Sequence, residues 1–170
     1  MSFSAPEVLT SNHDLTSFDC GKPALNAWLK SRAVANQRNG FTVVVVVHYE
    51  QRVVGYYGLS PTAIEAAVLP RKIRTGQPPN PIPCLLLGQL AIDLAYAGHG
   101  LGAALLGHAL ERAVLGARLT GGRAVLVRAI DEEAIEFWKR HGFLSSPSDP
   151  YLLFRSLPEI EASLKAAGRL

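Results

Sequence analysis

The stretch that most constrains the fold lies near the middle of the chain and reads CLLLGQLAIDLAYAGHGLGAALLGHAL, residues 84 to 110. Its first part is an apolar run with the length and composition of a buried strand. Three glycines follow, Gly98, Gly100 and Gly102, and small, helix-favouring residues come directly after them. Because apolar residues then recur at helical spacing, a helix is predicted over residues 101 to 118. The sequence therefore predicts a strand, a tight glycine turn and a helix in direct succession.

Two interpretations of the glycine turn are open. Glycine lets a backbone approach an anion closely, and the first N–H groups of a helix are free to bind it, so the turn suits a phosphate group. The same glycines equally suit an ordinary tight turn with close strand–helix packing. Gly98-x-Gly100-x-x-Ala103 matches a variant of the dinucleotide fingerprint, but it lies mid-chain and lacks the acidic residue expected about 20 positions later. Glycine spacing alone does not decide between the two.

The N-terminal half predicts a helix followed by a hairpin. FDCGKPALNAWLKSRAVANQRNG is typical of one helix capped by Asp19, with Pro23 in its first turn and Asn39-Gly40 at its end. The run Val43 to Val47 predicts a strand buried on both faces, and Glu50-Gln51 predicts the hairpin turn.

The remaining segments predict a mixed α/β domain. Residues 69 to 83 form a loop, because five prolines prevent a regular ladder. RAVLVRAI predicts a strand, DEEAIEFWKRHGF a helix with Gly142 as its C-cap, YLLFRSL a strand and PEIEASLKAAGRL a terminal helix. The strand–helix–strand unit from 84 to 129 requires a right-handed crossover and hence a parallel strand pair. Residues 1 to 170 are expected to form a single domain.

Composition limits the class of protein further. Apolar residues make up 48% and charged residues 18% of the chain, which is enough for a sizeable core. Cys20 and Cys84 form no paired motif, so a reduced, cytoplasmic location is expected. No basic region followed by an apolar core opens the sequence, and the longest uniform apolar run, Val43 to Val47, is too short to cross a membrane. Neither a signal peptide nor a membrane partner is expected.

Other chemistries find little support in the sequence. No Ser-His-Asp or Cys-His arrangement and no carboxylate pair of a hydrolase stands out. His108 is expected at the surface of the central helix, and His99 is expected to be an exposed loop residue. No metal site is predicted, because four histidines show no ligand spacing with one another or with the cysteines: His13, His48, His108 and His141.

Two motifs carry a resemblance to a known family. LAIDLAYAGHGLGAALLGHAL resembles motif A of the GNAT superfamily of acetyl-CoA-dependent N-acetyltransferases, and AIEFWKRHGF resembles its later motif, a helix ending in Phe-Tyr-x-x-x-Gly-Phe. The two occur in the family's order, about 35 residues apart. Five longer segments are similar to the TacT-like GNAT toxins of bacterial toxin–antitoxin pairs: FDCGKPALNAWL, ANQRNGFTVVVVV, VVGYYGLSP, PIPCLLLGQLAID and VRAIDEEAIEFWKRHGF. The resemblance covers residues 8 to 155.

The resemblance implies a GNAT fold, a twisted mixed sheet of six or seven strands with helices on both faces. It also implies acetyl-CoA as cosubstrate. The backbone amides that would hold the pyrophosphate are those of Ala97, Gly98, His99, Gly100, Leu101 and Gly102. The strand residues that would pair with the pantetheine arm are Leu90, Ala91 and Ile92.

The activity implied by the resemblance is acetylation of the α-amine of aminoacyl-tRNA, which blocks translation. A neutral amine would attack the thioester directly, and an N–H of the strand would stabilise the oxyanion. The expected partners are aminoacyl-tRNA and a ribbon-helix-helix antitoxin, and toxins of this group often form homodimers. Two alternatives remain: an acetyltransferase of a small amine or a protein terminus, and a non-catalytic module that binds acyl-CoA or an antitoxin.

Three positions depart from the family pattern. Trp138 stands where the family has the tyrosine that protonates the departing thiolate, and an indole N–H is not a useful proton source near pH 7. Ala97 replaces a glutamine or arginine, and Gln89 replaces an arginine of the toxins. The tyrosines that are candidates to supply the missing group are Tyr56, Tyr57, Tyr96 and Tyr151. Since neighbours on a strand face opposite ways, we expect one tyrosine of the Tyr56-Tyr57 pair in the core and Tyr57 at the acceptor site.

Two groups of basic residues have two interpretations as well. They would contact tRNA phosphates and make binding salt-dependent, or they form an ordinary solvated surface. The first group is Lys22, Lys30, Arg32 and Arg38, and the second is Arg71, Lys72 and Arg74.

Overall fold

The computed structural model describes residues 2–170, which form a seven-stranded mixed sheet and five α-helices. The strands are β1 Glu7–Val8, β2 Val43–Tyr49, β3 Arg52–Ile64, β4 Ile82–Ile92, β5 Ala124–Arg128, β6 Leu144–Ser146 and β7 Asp149–Ser156. The helices are α1 Pro23–Ser31, α2 Ala33–Arg38, α3 Leu101–Thr120, α4 Glu132–Arg140 and α5 Leu157–Ala166. The strand order is β1-β2-β3-β4-β5-β7-β6. The predicted α/β class with a mixed sheet is confirmed.

The strand directions follow from the connections. β2 and β3 pair antiparallel, as do β5 and β7, while β4 and β5 are parallel, with Leu85 opposite Val125. The parallel pair is the one predicted from the strand–helix–strand unit, since α3 supplies the crossover between its strands. β1 and β6 have two and three residues and were not predicted, because strands this short show no alternation to read.

The chain forms two compact units, each with its own apolar cluster. The first unit comprises the residues up to Ser60 together with Gly88–Ala109. Its buried cluster is Leu9, Phe18, Cys20, Leu29, Ala33, Val44, Val46, Val53, Tyr56 and Ala91. The second unit comprises Pro61–Leu87 and Leu110–Leu170. Its buried cluster is Ile64, Leu69, Ile73, Ile82, Cys84, Ala124, Leu126, Leu152 and Phe154.

The β2–β3 hairpin confirms the predicted turn. Glu50 and Gln51 have φ of 51° and 70°, which are the left-handed values of a type I′ turn between twisted strands. Val44 to Val47 are at most 2% exposed, as expected of a strand covered on both faces. Val43 is 41% exposed, so the prediction of burial is wrong for that first residue.

The predicted first helix is in fact two helices. α1 ends at Ser31, the φ of −121° at the following residue Arg32 is not helical, and α2 starts at Ala33. Asp19 is not its cap, because Pro23 occupies the first helical position and Lys22 is therefore the N-cap. The Asp19 carboxylate instead accepts hydrogen bonds from the Gly21 N–H and the Asn26 side-chain amide. The predicted end at Asn39 is confirmed.

The later helices begin at side-chain caps. Asp131 accepts the Ala134 N–H at 2.8 Å at the start of α4, and Ser156 accepts the Glu159 N–H at the start of α5. The C-cap of α4 is His141, and Gly142, predicted for that place, is the following residue, with φ 87°. Within residues 2–170 no helix has the length and apolar character needed to cross a membrane.

The Tyr56 hydroxyl provides a test of the first unit's core. This ring is fully buried, stacks on Trp28 with centroids 5.9 Å apart, and donates a 2.7 Å hydrogen bond to the Leu25 carbonyl. We expect Tyr56→Phe to lower the free energy of unfolding by about 1 kcal/mol, since the hydrogen bond from its hydroxyl to the Leu25 carbonyl is lost. Urea denaturation would measure this, with the half-exposed Tyr151→Phe as the control. Equal stability of Tyr56→Phe and the native chain would contradict the expectation.

Candidate functional site

The glycine turn leaves its backbone accessible to a ligand. Gly98 and Gly100 have φ of 83° and 76°, in the left-handed region that only glycine adopts without strain. A Cβ at either position would meet no atom within 4 Å, so the space beside the turn is open. Residues 97 to 100 are exposed, and the first N–H groups of α3 have no acceptor within the helix. This geometry fits a pyrophosphate and supports the phosphate interpretation of the turn.

A buried carboxylate that sequence analysis missed fixes the turn. Asp93 is 7% exposed, and its two carboxylate oxygens accept the N–H groups of Ala95 at 2.8 Å and Asp19 at 3.1 Å. Its own N–H donates to the Val54 carbonyl on β3, and the Leu94 N–H donates to the Asp19 carbonyl. These bonds define where β4 ends and the 3₁₀ turn Leu94–Tyr96 begins. The signal in the sequence was an aspartate between an apolar strand and a turn, a typical capping position.

The end of β4 carries the three residues predicted to pair with pantetheine. Ala91 is buried, and Leu90 and Ile92 are half-buried. A glycine inside a strand, here Gly88, predicts a bulge, and the residue with the irregular backbone is its neighbour Gln89, which has φ 54°. A non-glycine residue in this region interrupts the regular strand directly before the predicted pantetheine residues. Binding of the arm there stays a prediction.

The other residues of the predicted cradle surround the two glycines. Ala97 and His99 are exposed, as expected for the histidine, whose Nδ1–H donates to the Tyr96 carbonyl at 3.0 Å. Leu101 is buried at the start of α3 and anchors the helix. Gly102 faces Ile92, with 3.8 Å between its ideal Cβ and Ile92 Cγ1. The turn is thus held at both ends while its middle remains accessible.

Both tyrosines of the β3 pair are buried. Tyr56 lies in the core as expected, and burial raises the pKa of its hydroxyl. Tyr57 is also fully buried, and its hydroxyl oxygen lies 2.8 Å from Nδ1 of His108 on α3. His108 is half-buried, so the expectation of a surface histidine is wrong. β3 is an interior strand covered on both faces, which explains why neither ring reaches solvent. A catalytic role of Tyr57 stays a prediction.

Trp138, the position of the family's tyrosine, lies in the second unit. It is 6% exposed and packs edge-on against Phe137 and Phe143, with ring centroids 5.0 Å from each. The ring is therefore held in one orientation by α4 and the segment after it. An indole in this place can donate a hydrogen bond but does not transfer a proton near pH 7.

The structure brings together three residues that the sequence did not connect. Glu7 Oε1 lies 2.7 Å from Nε2 of His13 and 2.8 Å from Nε2 of His48. The three ligand atoms lie within 4.8 Å of one another, a grouping that the spacing of these residues in the chain does not show. Pairing of β1 with β2 brings them together.

The hydrogen bonds of this cluster nevertheless oppose metal binding. Nδ1 of His13 accepts the Thr10 N–H at 2.9 Å, and Nδ1 of His48 accepts the Gln51 N–H at 3.2 Å. Each Nδ1 is therefore unprotonated, and each Nε2 carries the proton that it donates to Glu7. A metal bound at Nε2 would need the opposite tautomer, which places an N–H against a backbone N–H. The cluster is suited to fastening β1 to the hairpin.

The predicted basic residues fall in both units. In the first unit, Lys30, Arg32 and Arg38 are exposed and Lys22 is half-buried. In the second unit, the loop before β4 exposes Arg71 and Lys72, while Arg74 is half-buried. Contact of these residues with tRNA stays a prediction.

A substitution at Gly100 tests whether the glycine turn binds acetyl-CoA. We expect Gly100→Glu to weaken acetyl-CoA binding roughly 100-fold, because it strains a residue at φ 76° and places a carboxylate beside the amides offered to an anion. Calorimetric titration with acetyl-CoA would measure the dissociation constant. Gly116→Glu is the matched control, since it adds the same charge to α3 at a position with no atom within 4 Å. Equal affinity of the two variants would contradict the assignment.

The hydrogen bonds of Glu7 should make its contribution to the free energy of unfolding depend on pH. The His13 hydrogen bond, followed by those of His48, lowers the pKa of Glu7 below the 4.5 of an unperturbed glutamate. A lowered folded-state pKa means that the stabilisation is complete above pH 4.5 and is lost as the pH falls through the folded-state value. We expect Glu7→Gln to unfold at lower urea concentration than the native chain at pH 7, and the gap to shrink as the pH falls below 4.5 and through the folded-state pKa of Glu7. A gap that is the same at pH 7 and at the lower pH would refute this.

Comparison with known proteins identifies the family. The model of the acetyltransferase (GNAT) domain family matches residues 38–144. A tRNA-acetylating toxin of Mycobacterium tuberculosis is 38% identical over 160 residues, which are 94% of this chain and 96% of the relative.

Solved structures agree with this result. AtaT complexed with acetyl-methionyl-tRNAfMet has a TM-score of 0.85 and 32% identity, covering 96% of this chain and 99% of AtaT. An AtaT variant bound to acetyl-CoA and to the C-terminus of the antitoxin AtaR has a TM-score of 0.82 and 30% identity, covering 97% and 99%. The matches extend over both units and over the strand, glycine turn and helix described above. The chain therefore belongs to the GNAT acetyltransferase family.

Proposed function

We propose that this acetyltransferase transfers the acetyl group of acetyl-CoA to the α-amine of an aminoacyl-tRNA and is the toxin of a bacterial toxin–antitoxin pair. The observation that carries the proposal is the likeness, over 96% of the chain, to AtaT complexed with acetyl-methionyl-tRNAfMet. The name of the Mycobacterium tuberculosis relative, a tRNA-acetylating toxin, points to the same substrate. An aminoacyl-tRNA offers a primary amine next to many phosphates, which suits exposed basic residues.

The chain's own residues would bind and orient the two substrates. The amides of Gly98, Gly100 and Gly102 would hold the pyrophosphate, and Leu90 to Ile92 would pair with the pantetheine arm. Acetyl-CoA supplies the acetyl group when bound. An N–H of the strand end would donate to the oxygen that becomes negative as the amine attacks. Because the turn is fixed before binding, little conformational entropy is lost when the cosubstrate binds.

Trp138 leads us to propose a reaction without a tyrosine as general acid. Its indole N–H would stabilise the departing thiolate by a hydrogen bond, and water would supply the proton. A thiolate of CoA is a good leaving group, so the loss of the acid costs about 10²-fold or more in rate without stopping the reaction. Tyr57 is a weaker candidate for the acid, because its hydroxyl is fully buried and is engaged with His108.

The cellular location and the protein partner that we propose follow from the same relatives. We propose a bacterial cytoplasmic location, where aminoacyl-tRNA is found, and neutralisation by a ribbon-helix-helix antitoxin. The AtaT variant seen with the C-terminus of AtaR supports a contact of this kind. A homodimer is also proposed, and sedimentation of the purified chain would determine its mass.

One observation favours a second candidate function, a module that binds acyl-CoA without turning it over. The catalytic tyrosine position holds a rigidly packed indole while the glycine turn remains intact. Such a module would retain full affinity for acetyl-CoA and show no transfer to any amine.

The decisive experiment uses labelled acetyl-CoA and a pool of charged tRNAs, with the native chain and three variants. We expect label on aminoacyl-tRNA with the native chain and none with Gly100→Glu. Trp138→Tyr should raise kcat by about 10- to 100-fold, because it restores a proton donor, and its kcat should fall at high pH as the phenol ionises. Trp138→Phe, which removes the N–H and supplies no acid, should be slower than the native chain.

The outcomes separate the candidates. Transfer by Trp138→Tyr alone would favour the non-catalytic module. Transfer to small amines or protein termini but to no charged tRNA would overturn the toxin proposal. Equal rates for Trp138→Tyr and Trp138→Phe would refute the role proposed for this position.

A further inference from the structure

Arg123 holds the basic loop of the second unit in place through its side chain. Its Nε donates a 2.9 Å hydrogen bond to the Ile73 carbonyl, and its Nη2 donates to the Thr75 hydroxyl. Its backbone is fixed as well, since its N–H donates to the Pro83 carbonyl and its carbonyl accepts the Leu157 N–H. The planar guanidinium can make two such bonds in one fixed geometry. One residue at the start of β5 thus fastens the loop at two points.

The loop that Arg123 fastens carries cations without acidic neighbours. Arg71 and Lys72 are the two central, exposed residues of a reverse turn that is closed by the Ile73 N–H and the Pro70 carbonyl at 2.9 Å. No acidic residue occurs in the sequence between Glu65 and Asp93. Among the salt bridges of residues 2–170, none involves Arg71, Lys72 or Arg74.

Further contacts of the loop show that it is ordered around these cations. Leu69 and Ile73 are 0% and 3% exposed and belong to the buried cluster of this unit. The Asn80 side-chain carbonyl accepts the Ala66 N–H at 3.0 Å. These contacts and the hydrogen bonds of the Arg74 N–H to the Pro70 and Arg71 carbonyls do not reach the stretch from Thr75 to Pro79, whose side-chain hydrogen bond to Arg123 is at Thr75. Without Arg123, this stretch would sample many conformations, and the turn that carries the cations would lose the hydrogen bond at the Ile73 carbonyl.

We propose that Arg123 is a positioning residue for binding of the acceptor: it presents Arg71, Lys72 and Arg74 in one arrangement to the phosphates of the tRNA. The proposal rests on the proposed function. A loop ordered in advance loses less entropy on binding, so the clamp strengthens acceptor binding without touching the reacting atoms. Acetyl-CoA binding and the chemical step should not depend on it.

The test compares Arg123→Met with the native chain on a charged tRNA that the native chain acetylates. We expect Arg123→Met to raise KM for the tRNA about tenfold, with kcat and the affinity for acetyl-CoA changed less than about twofold. Hydrogen exchange should become faster at the amides of residues 73 to 77. Arg123→Lys should restore part of the effect, because one ammonium cannot reproduce both bonds. Arg140→Met, which removes an exposed arginine elsewhere in the same unit, is the charge-matched control and should leave KM unchanged.

A double-mutant cycle separates positioning from direct contact. In an Arg71→Gln/Lys72→Gln background, the further change Arg123→Met should raise KM much less than in the native chain, because it acts through the cations already removed. An additive effect would overturn the proposal in favour of direct contact between Arg123 and tRNA. Equal losses in KM, kcat and acetyl-CoA affinity would mean a merely structural role. Absence of tRNA acetylation by the native chain would overturn the proposed function itself, while the exchange measurement would still test the clamp.

Discussion

The buried carboxylate of Asp93 determines the geometry on which the candidate cosubstrate site depends. Its two oxygens accept two backbone N–H groups, one from its own turn and one from the segment before α1. A buried carboxylate is stable only when its oxygens are satisfied in this way, so the turn after β4 has little freedom to move. Gly98, Gly100 and the first turn of α3 follow within a few residues. The backbone that leads into the glycine turn is therefore held in place before any ligand arrives.

The backbone of the basic loop before β4 is also restrained by a small number of contacts. Prolines and two buried aliphatic side chains restrict the loop, and the guanidinium of Arg123 fastens the stretch that those contacts leave loose. Rigid supports of this kind suit the proposed function, because acetyl-CoA and an aminoacyl-tRNA are both polyanions whose binding depends on the positions of charges and amides. The chemistry itself requires less from the protein, since an amine attacks a thioester readily. Under the proposed function, this is why an indole at position 138 would still allow acetyl transfer.

Sequence reasoning reached the glycine turn and its helix because their signals are local. One short segment of sequence contains both signals: the glycines Gly98 and Gly100, which allow a positive φ, and the apolar stripe of α3. It missed Asp93 as a structural centre, because the partner of its second oxygen lies 74 residues away. It also misjudged His108 on α3, because its half-buried position depends on contact with the Tyr57 hydroxyl of β3. Asp19 was misread for a similar reason, since its carboxylate bonds to Gly21 and Asn26 and caps no helix.

The sequence by itself determined the order of the main strands and helices, the parallel β4–β5 pair and the membership in the GNAT family. These follow from periodicity, turn residues and short motifs, which act over distances of a few residues. Only the tertiary structure decided that Glu7, His13 and His48 meet, that Tyr57 is buried against His108, and that Arg123 fastens the loop at Ile73 and Thr75. Each of these contacts joins residues distant in the chain. Strand pairing and core packing bring them together, and these long-range contacts cannot be predicted from a local sequence pattern.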